Sequence, residues 1–219
     1  MRLLALVHQP DAPPGTYAEV VLEAGAELVV WDVREPEAPA EPASFDGVIA
    51  FGGSPHPDQE HLHPWILAEL EVLRAVVGAD VPTLGICLGG ELLARMLGAP
   101  VGPAPEEIGF VEVGLTEEAG DDPLLGGLPP RFEAFQWHRY GFGLPAGATP
   151  LARSRAGLQA FRHGNRVWGL QFHPEVDAAI AAAWAADDDR APPGGDYDAW
   201  RGLGARICRG FLEVCGMRL

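Results

Sequence analysis

Short β-rich runs alternate with helical stretches through the first 86 residues, and that order leaves few architectures open. "LLALVH" (3–8) and "ELVVWDV" (27–33) flank a helical stretch, "TYAEVVLEAGA" (16–26), an order that reads as β-α-β. "FDGVIAFGG" (45–53) is a third strand stopping at glycines. Residues 65–77 carry Ile66, Leu70, Leu73 and Val77 at helical spacing, and "VPTLGI" (81–86) is a fourth strand. Strands this apolar need cover on both faces, which predicts an α/β fold: a doubly wound, mostly parallel sheet with helices on both faces. The second half changes character. "IGFVEVGLT" (108–116), "RFEAFQWH" (131–138) and "LQAFRHGNRVWGLQFH" (158–173) read as an antiparallel extension, the last turning at His163-Gly164-Asn165. "PEAPAEPAS" (36–44) is a surface excursion and "RAPPGGD" (190–196) the clearest loop. Beyond it, Trp200, Leu203, Ile207, Phe211 and Cys215 mark one face of a terminal helix.

A chain of 219 residues with 47% hydrophobic content can bury one sizeable core, so one domain over 1–219 is expected. No apolar stretch approaches the ~20 residues that span a bilayer, and the start lacks the long apolar region of a signal peptide. A cytoplasmic protein is expected. Three cysteines, Cys87, Cys208 and Cys215, make no disulfide framework and fit a reducing compartment. The net charge of −16 disfavours nucleic acid and anionic membranes as partners. All 15 basic residues are arginine. Without lysine there is neither a Walker P-loop nor a Schiff-base cofactor. His56, His61 and His63 match no standard zinc spacing, so neither metal nor cofactor is expected.

The chemistry centres on "PTLGICLGGELLA" (82–94). Strand, Gly85-Ile86-Cys87-Leu88-Gly89 and helix form the G-x-nucleophile-x-G layout of a nucleophile elbow, in which flanking glycines permit a sharp turn. The helix N-terminus aims its positive end at the sulfur, favouring thiolate. The alternative is a small apolar residue ending a buried strand. Partners decide between the two. "GLQFHPEV" offers His173 as general base, with Glu175 two residues on; in an extended segment those positions share a face, and Pro174 restrains the backbone between them.

Together these pieces resemble the class I glutamine amidotransferases, above all stand-alone members similar to the glutaminase domain of GMP synthase. The resemblance runs over residues 1–180 through "AFGGSP" (50–55), 63–99, "FQWHRYGFGLPAGA" (135–148) and 158–176, leaving 181–219 as a C-terminal helical extension. It implies a flavodoxin-like fold and an enzyme that hydrolyses glutamine or another γ-glutamyl amide to release ammonia. Cys87 would form a glutamyl thioester, His173 would shuttle the proton and Glu175 would orient His173. The N–H groups of Gly53 and Leu88 would form the oxyanion hole, and donors so aimed can be worth ~3 kcal/mol each. Gln136, through its side chain, and Trp137, Arg139 and Tyr140, through main-chain atoms, would hold the amino-acid end of the substrate.

The match departs at two positions. Glu91 stands where the family usually has Gln, and Tyr140 stands where many stand-alone relatives carry an acid. On a helix Glu91 lies one turn from Cys87; its carboxylate can accept from a substrate ammonium but opposes thiol ionisation. Three readings follow: a glutaminase whose partner is a separate synthetase or acceptor polypeptide, a γ-glutamyl peptidase or hydrolase on the same scaffold, and a catalytically silent binding or regulatory subunit. A cysteine variant of the α/β-hydrolases fits poorly, because there the acid precedes the histidine in chain order.

Overall fold

The computed structural model describes residues 1–35 and 37–217. β1 (Arg2–Val7) is buried at all but its first position, as a central strand must be. Its side chains alternate between two cores. Leu3, Ala5 and Val7 pack with Tyr17 and Val21 of α1 (Thr16–Glu23) and with Trp200, Ile207 and Phe211 of α5 (Tyr197–Val214). Leu4 and Leu6 pack with Ile66, Leu70 and Leu73 of α2 (Trp65–Gly78) and with Leu88, Leu92 and Leu93 of α3 (Leu88–Met96). Helices therefore cover both faces, the consequence of a run that is apolar at successive positions.

The remaining strands are β2 (Glu27–Asp32), β3 (Gly47–Ala50), β4 (Thr83–Ile86), β5 (Val101–Leu115), β6 (Arg131–Phe142), β7 (Ala148–Ser154), β8 (Gly157–His163) and β9 (Val167–Leu170). They form one mixed sheet in the order β2-β1-β3-β4-β9-β8-β7-β5-β6. β2, β1, β3, β4 and β9 run parallel, and the antiparallel extension starts at the β8 to β9 hairpin. The expected α/β architecture is present, with the antiparallel part larger than the apolar runs indicate. β5 begins seven residues before 108, and its ladder slips between Pro103 and Glu107, where proline has no N–H to donate. β7, "ATPLARS", has no clean alternation and was not legible as a strand. The hairpin turn falls one residue later than expected, on 164–166. α4 (Ala178–Asp187) is mostly alanine, so it lacks the spaced large residues that announce a helix face.

On α5 the expected face is buried at Trp200, Ile207 and Phe211, with Cys208 also fully covered and Cys215 partly. All three cysteines are free thiols. No helix among the described residues is long and apolar enough to cross a membrane. Placing β9 beside β4, with Ile86 opposite Leu170, brings the chain after both strands to the same edge of the sheet. That carboxyl edge is where ligands bind in open α/β sheets.

Candidate active site

Cys87 sits between β4 and α3 at φ 49° and ψ −110°, one of few non-glycine residues in the left-handed half of backbone space. Such a conformation costs on the order of 1–3 kcal/mol and persists only when its surroundings enforce it. They do so here. The Cys87 N–H donates to the Leu170 carbonyl at 2.8 Å, and its carbonyl accepts from the Glu91 N–H at 2.8 Å. A Cβ on Gly85 would lie 2.5 Å from the Gly89 backbone, one on Gly89 would collide with the Ala50 carbonyl, and one on Gly90 would lie 2.7 Å from the Leu170 carbonyl. The elbow glycines are thus required by close packing of strand against helix.

His173 lies just beyond β9, its N–H donating to Phe135 and its carbonyl accepting from the Trp200 indole at 3.1 Å. Its Nδ1 is 2.8 Å from Glu175 Oε1, and both side chains are buried. The pair meets across a turn closed by the Val176 N–H on the His173 carbonyl, not along an extended segment as expected. With Nδ1 donating to the carboxylate, Nε2 is left as the basic nitrogen, and it is buried without a hydrogen-bond partner among the described residues. The Cys87 Cβ and the His173 imidazole flank Gly52: a Cβ there would lie 2.7 Å from His173 Cε1 and 3.6 Å from Cys87 Cβ. The three residues converge although 80 or more positions separate the cysteine from the others.

Electrostatics correct the expectation that position alone ionises the thiol. Burial pushes the Cys87 pKa well above the ordinary value, and the Glu91 and Glu175 carboxylates push it further. The Leu88 N–H and the Gln171 amide, 3.7 Å from Sγ, pull the other way and do not prevail. The positive end of α3 also acts against these effects. Burial and the two carboxylates thus oppose ionisation of the thiol.

Cys87 and His173 open into a cavity of about 220 Å³, which Gly53, Glu91, Trp137, Arg139 and Tyr140 also line. Glu91 is 3% exposed and accepts from the Gln171 amide at 3.0 Å; burial raises its pKa to about 7. Gly53 follows the end of β3, and its N–H has no acceptor among the described residues. Arg139 is tied by ion pairs to Glu106 and Asp188, and Tyr140 stacks on His56 at 3.8 Å. Gln136 departs from the expectation. Its side chain is fully buried and donates to Gln159 at 2.7 Å, away from the cavity, because a buried amide takes the partner its strand face presents.

Several contributors were not legible as site residues. Gln171, the residue after β9, joins Cys87 to Glu91. Trp184 of α4 packs edge-on against His173 at 4.9 Å and lines the cavity. Glu107 Oε2 lies 3.3 Å from His138 Nε2, while His138 Nδ1 faces the Tyr140 carbonyl at 2.9 Å. Burial lowers the His138 pKa despite that carboxylate.

Compared with protein families, residues 16–182 match glutamine amidotransferase class-I. The chain belongs to the class I glutamine amidotransferase family. Among curated relatives, a glutamine-hydrolysing GMP synthase of Thermomicrobium roseum is 32% identical over 98% of this chain, which spans 38% of that enzyme's length. A glutamine-hydrolysing GMP synthase of Sulfurisphaera tokodaii, named as one subunit of that enzyme, is 39% identical over 64% of this chain and 73% of its own. A glutamine amidotransferase of Thermotoga maritima superposes with a TM-score of 0.86 at 27% identity, covering 97% of this chain and 98% of that one. The doubly wound amidotransferase scaffold is thus shared over nearly the whole chain.

Proposed function

We propose that this class I amidotransferase hydrolyses glutamine, or a closely related γ-glutamyl amide, through a Cys87 thioester. The supporting observation is the His173 imidazole, whose Nδ1 is 2.8 Å from Glu175 and whose Nε2 is left unpartnered among the described residues, flanking Gly52 together with Cys87. As Sγ attacks the γ-carbonyl carbon, its proton passes to Nε2, so that a thiol whose ionisation burial opposes can still react. The carbonyl oxygen takes up negative charge opposite the Gly53 and Leu88 N–H groups. Collapse breaks the C–N bond, the imidazolium gives its proton to the departing ammonia, and a water activated by the same nitrogen then cleaves the thioester to glutamate. Glu91 accepts from the substrate's α-ammonium, and the backbone of Trp137, Arg139 and Tyr140 borders the amino-acid end. The Sulfurisphaera relative is one subunit of its enzyme by name, which supports an ammonia acceptor carried by a second polypeptide.

Ammonia release from a panel of γ-glutamyl amides tests the reading. Cys87→Ala is expected to lose at least about 10³-fold in kcat, and Glu91→Gln to raise KM for glutamine. Wild-type release that survives Cys87→Ala would remove the thioester. Preference for γ-glutamyl-amines or peptides over glutamine would move the assignment to a γ-glutamyl hydrolase, and absence of both release and Cys87 labelling by a glutamine-analogue electrophile to a silent subunit.

A further inference from the structure

One buried ionisable pair takes no part in the chemistry above. His8 follows β1, Glu69 lies on α2, and His8 Nε2 is 2.9 Å from Glu69 Oε2 with neither side chain exposed. The other ring nitrogen, Nδ1, is 3.0 Å from the Gly52 carbonyl oxygen. A carbonyl only accepts, so Nδ1 carries a proton, and the carboxylate at Nε2 favours a second one. Burial opposes charge on the ring, yet Glu69 and the Gly52 carbonyl together raise its pKa above the ordinary histidine value. An apolar pair of similar size would fill this space without the cost of desolvating two charges. What the pair adds is a directed hydrogen bond to Gly52.

A trans peptide is planar, and its C=O and N–H point in opposite directions. With the Gly52 oxygen drawn to His8, the Gly53 N–H of the same peptide points the other way, toward the cavity that Gly53 lines with Cys87 and His173. That N–H has no acceptor among the described residues. Both residues must be glycine for space: a Cβ on Gly52 would lie 2.7 Å from His173 Cε1, and one on Gly53 2.7 Å from His8 Cβ. Two successive glycines leave a peptide free to rotate, so its orientation has to be imposed from outside.

We propose that the His8–Glu69 pair is a positioning device that locks the Gly52–Gly53 peptide with its N–H toward the cavity. The catalytic consequence rests on the thioester reading, in which that N–H meets the developing oxyanion. The paired substitution His8→Phe with Glu69→Met removes the clamp without stranding a buried charge. His8→Asn with Glu69→Gln keeps an amide donor near the Nδ1 position. The first is expected to lower kcat for ammonia release by about 10²–10³-fold with KM within about twofold, since the lost donor acts on the transition state. The second retains kcat within about tenfold of wild type, the loss of one ring donor being replaced by an amide. Crystal structures should show the Gly52–Gly53 peptide rotated in the first and unchanged in the second. Where the apolar pair does not fold, His8→Gln serves instead, because its amide reaches Glu69 but not Gly52. Wild-type kcat in a clamp-less variant, or a peptide that keeps its orientation there, overturns the proposal. Should wild-type protein show no Cys87-dependent release, the thioester reading fails separately and the peptide orientation alone decides the clamp.

Discussion

Glu91 is almost wholly buried, and burial raises its pKa from the ordinary 4.5 to about 7, with only the Gln171 amide acting against it. Its folded-state pKa lies above the unfolded one, so between these two values the folded protein holds more protons. The associated stability is complete below about pH 4.5 and is lost as pH rises through about 7, amounting to about 3 kcal/mol. Glu91→Gln removes that loss. The variant should match wild type near pH 4.5 and melt about 5–10 °C higher at pH 8. The same carboxylate raises the Cys87 pKa, so alkylation of Cys87 by iodoacetamide at pH 8 should be faster in Glu91→Gln. Thermal melts and alkylation rates that show no difference between the proteins at pH 8 would remove Glu91 from the balance at the sulfur. An acid at position 91 should thus make both the fold and the Cys87 thiol sensitive to pH near neutrality.

The elbow joins β4 to α3 through one residue at φ 49°, a conformation glycine adopts without strain. Cys87→Gly should therefore be more stable than Cys87→Ala by about 1 kcal/mol, although both lose the thiol. Urea unfolding of the two variants checks this, and equal midpoints would mean that the backbone there is not strained. The elbow was legible in the sequence because its signal is local: apolar strand, two spaced glycines, one cysteine, then a helix. Cys87, His173 and Glu175 were found on the same grounds, each beside the end of an apolar run. Other elements and partners gave no local signal. β7 has no alternation, and α4 has mostly alanine where a periodic face would show. The resemblance implies a substrate-holding side chain at Gln136, whereas the structure pairs that buried amide with Gln159, a partner brought near only by the sheet. His8 and Glu69, 61 positions apart, and Glu107 and His138, on different strands, become pairs only when the sheet order is known.

The loop that carries His173 and Glu175 is held by parts of the chain that lie outside the family match. That match ends at 182, yet Trp200 of α5 donates its indole N–H to the His173 carbonyl, and a Cβ on Gly204 would collide with the Pro174 carbonyl. α5 also packs against α1 through the core that runs to β1, so the loop carrying His173 and Glu175 is pinned between the sheet edge and the last helix. Trp200 is buried, and its removal would leave the His173 carbonyl without this donor inside the protein. Trp200→Phe keeps most of the ring volume and deletes the donor, which should cost about 1–3 kcal/mol of stability. If the indole also fixes the imidazole, kcat should fall about tenfold with KM nearly unchanged, as expected for a small displacement of a catalytic base. A urea midpoint that drops while kcat holds would confine Trp200 to packing. A fall in kcat measured well below the unfolding transition, with Cys87 still labelled by a glutamine-analogue electrophile, would instead show that α5 positions the base.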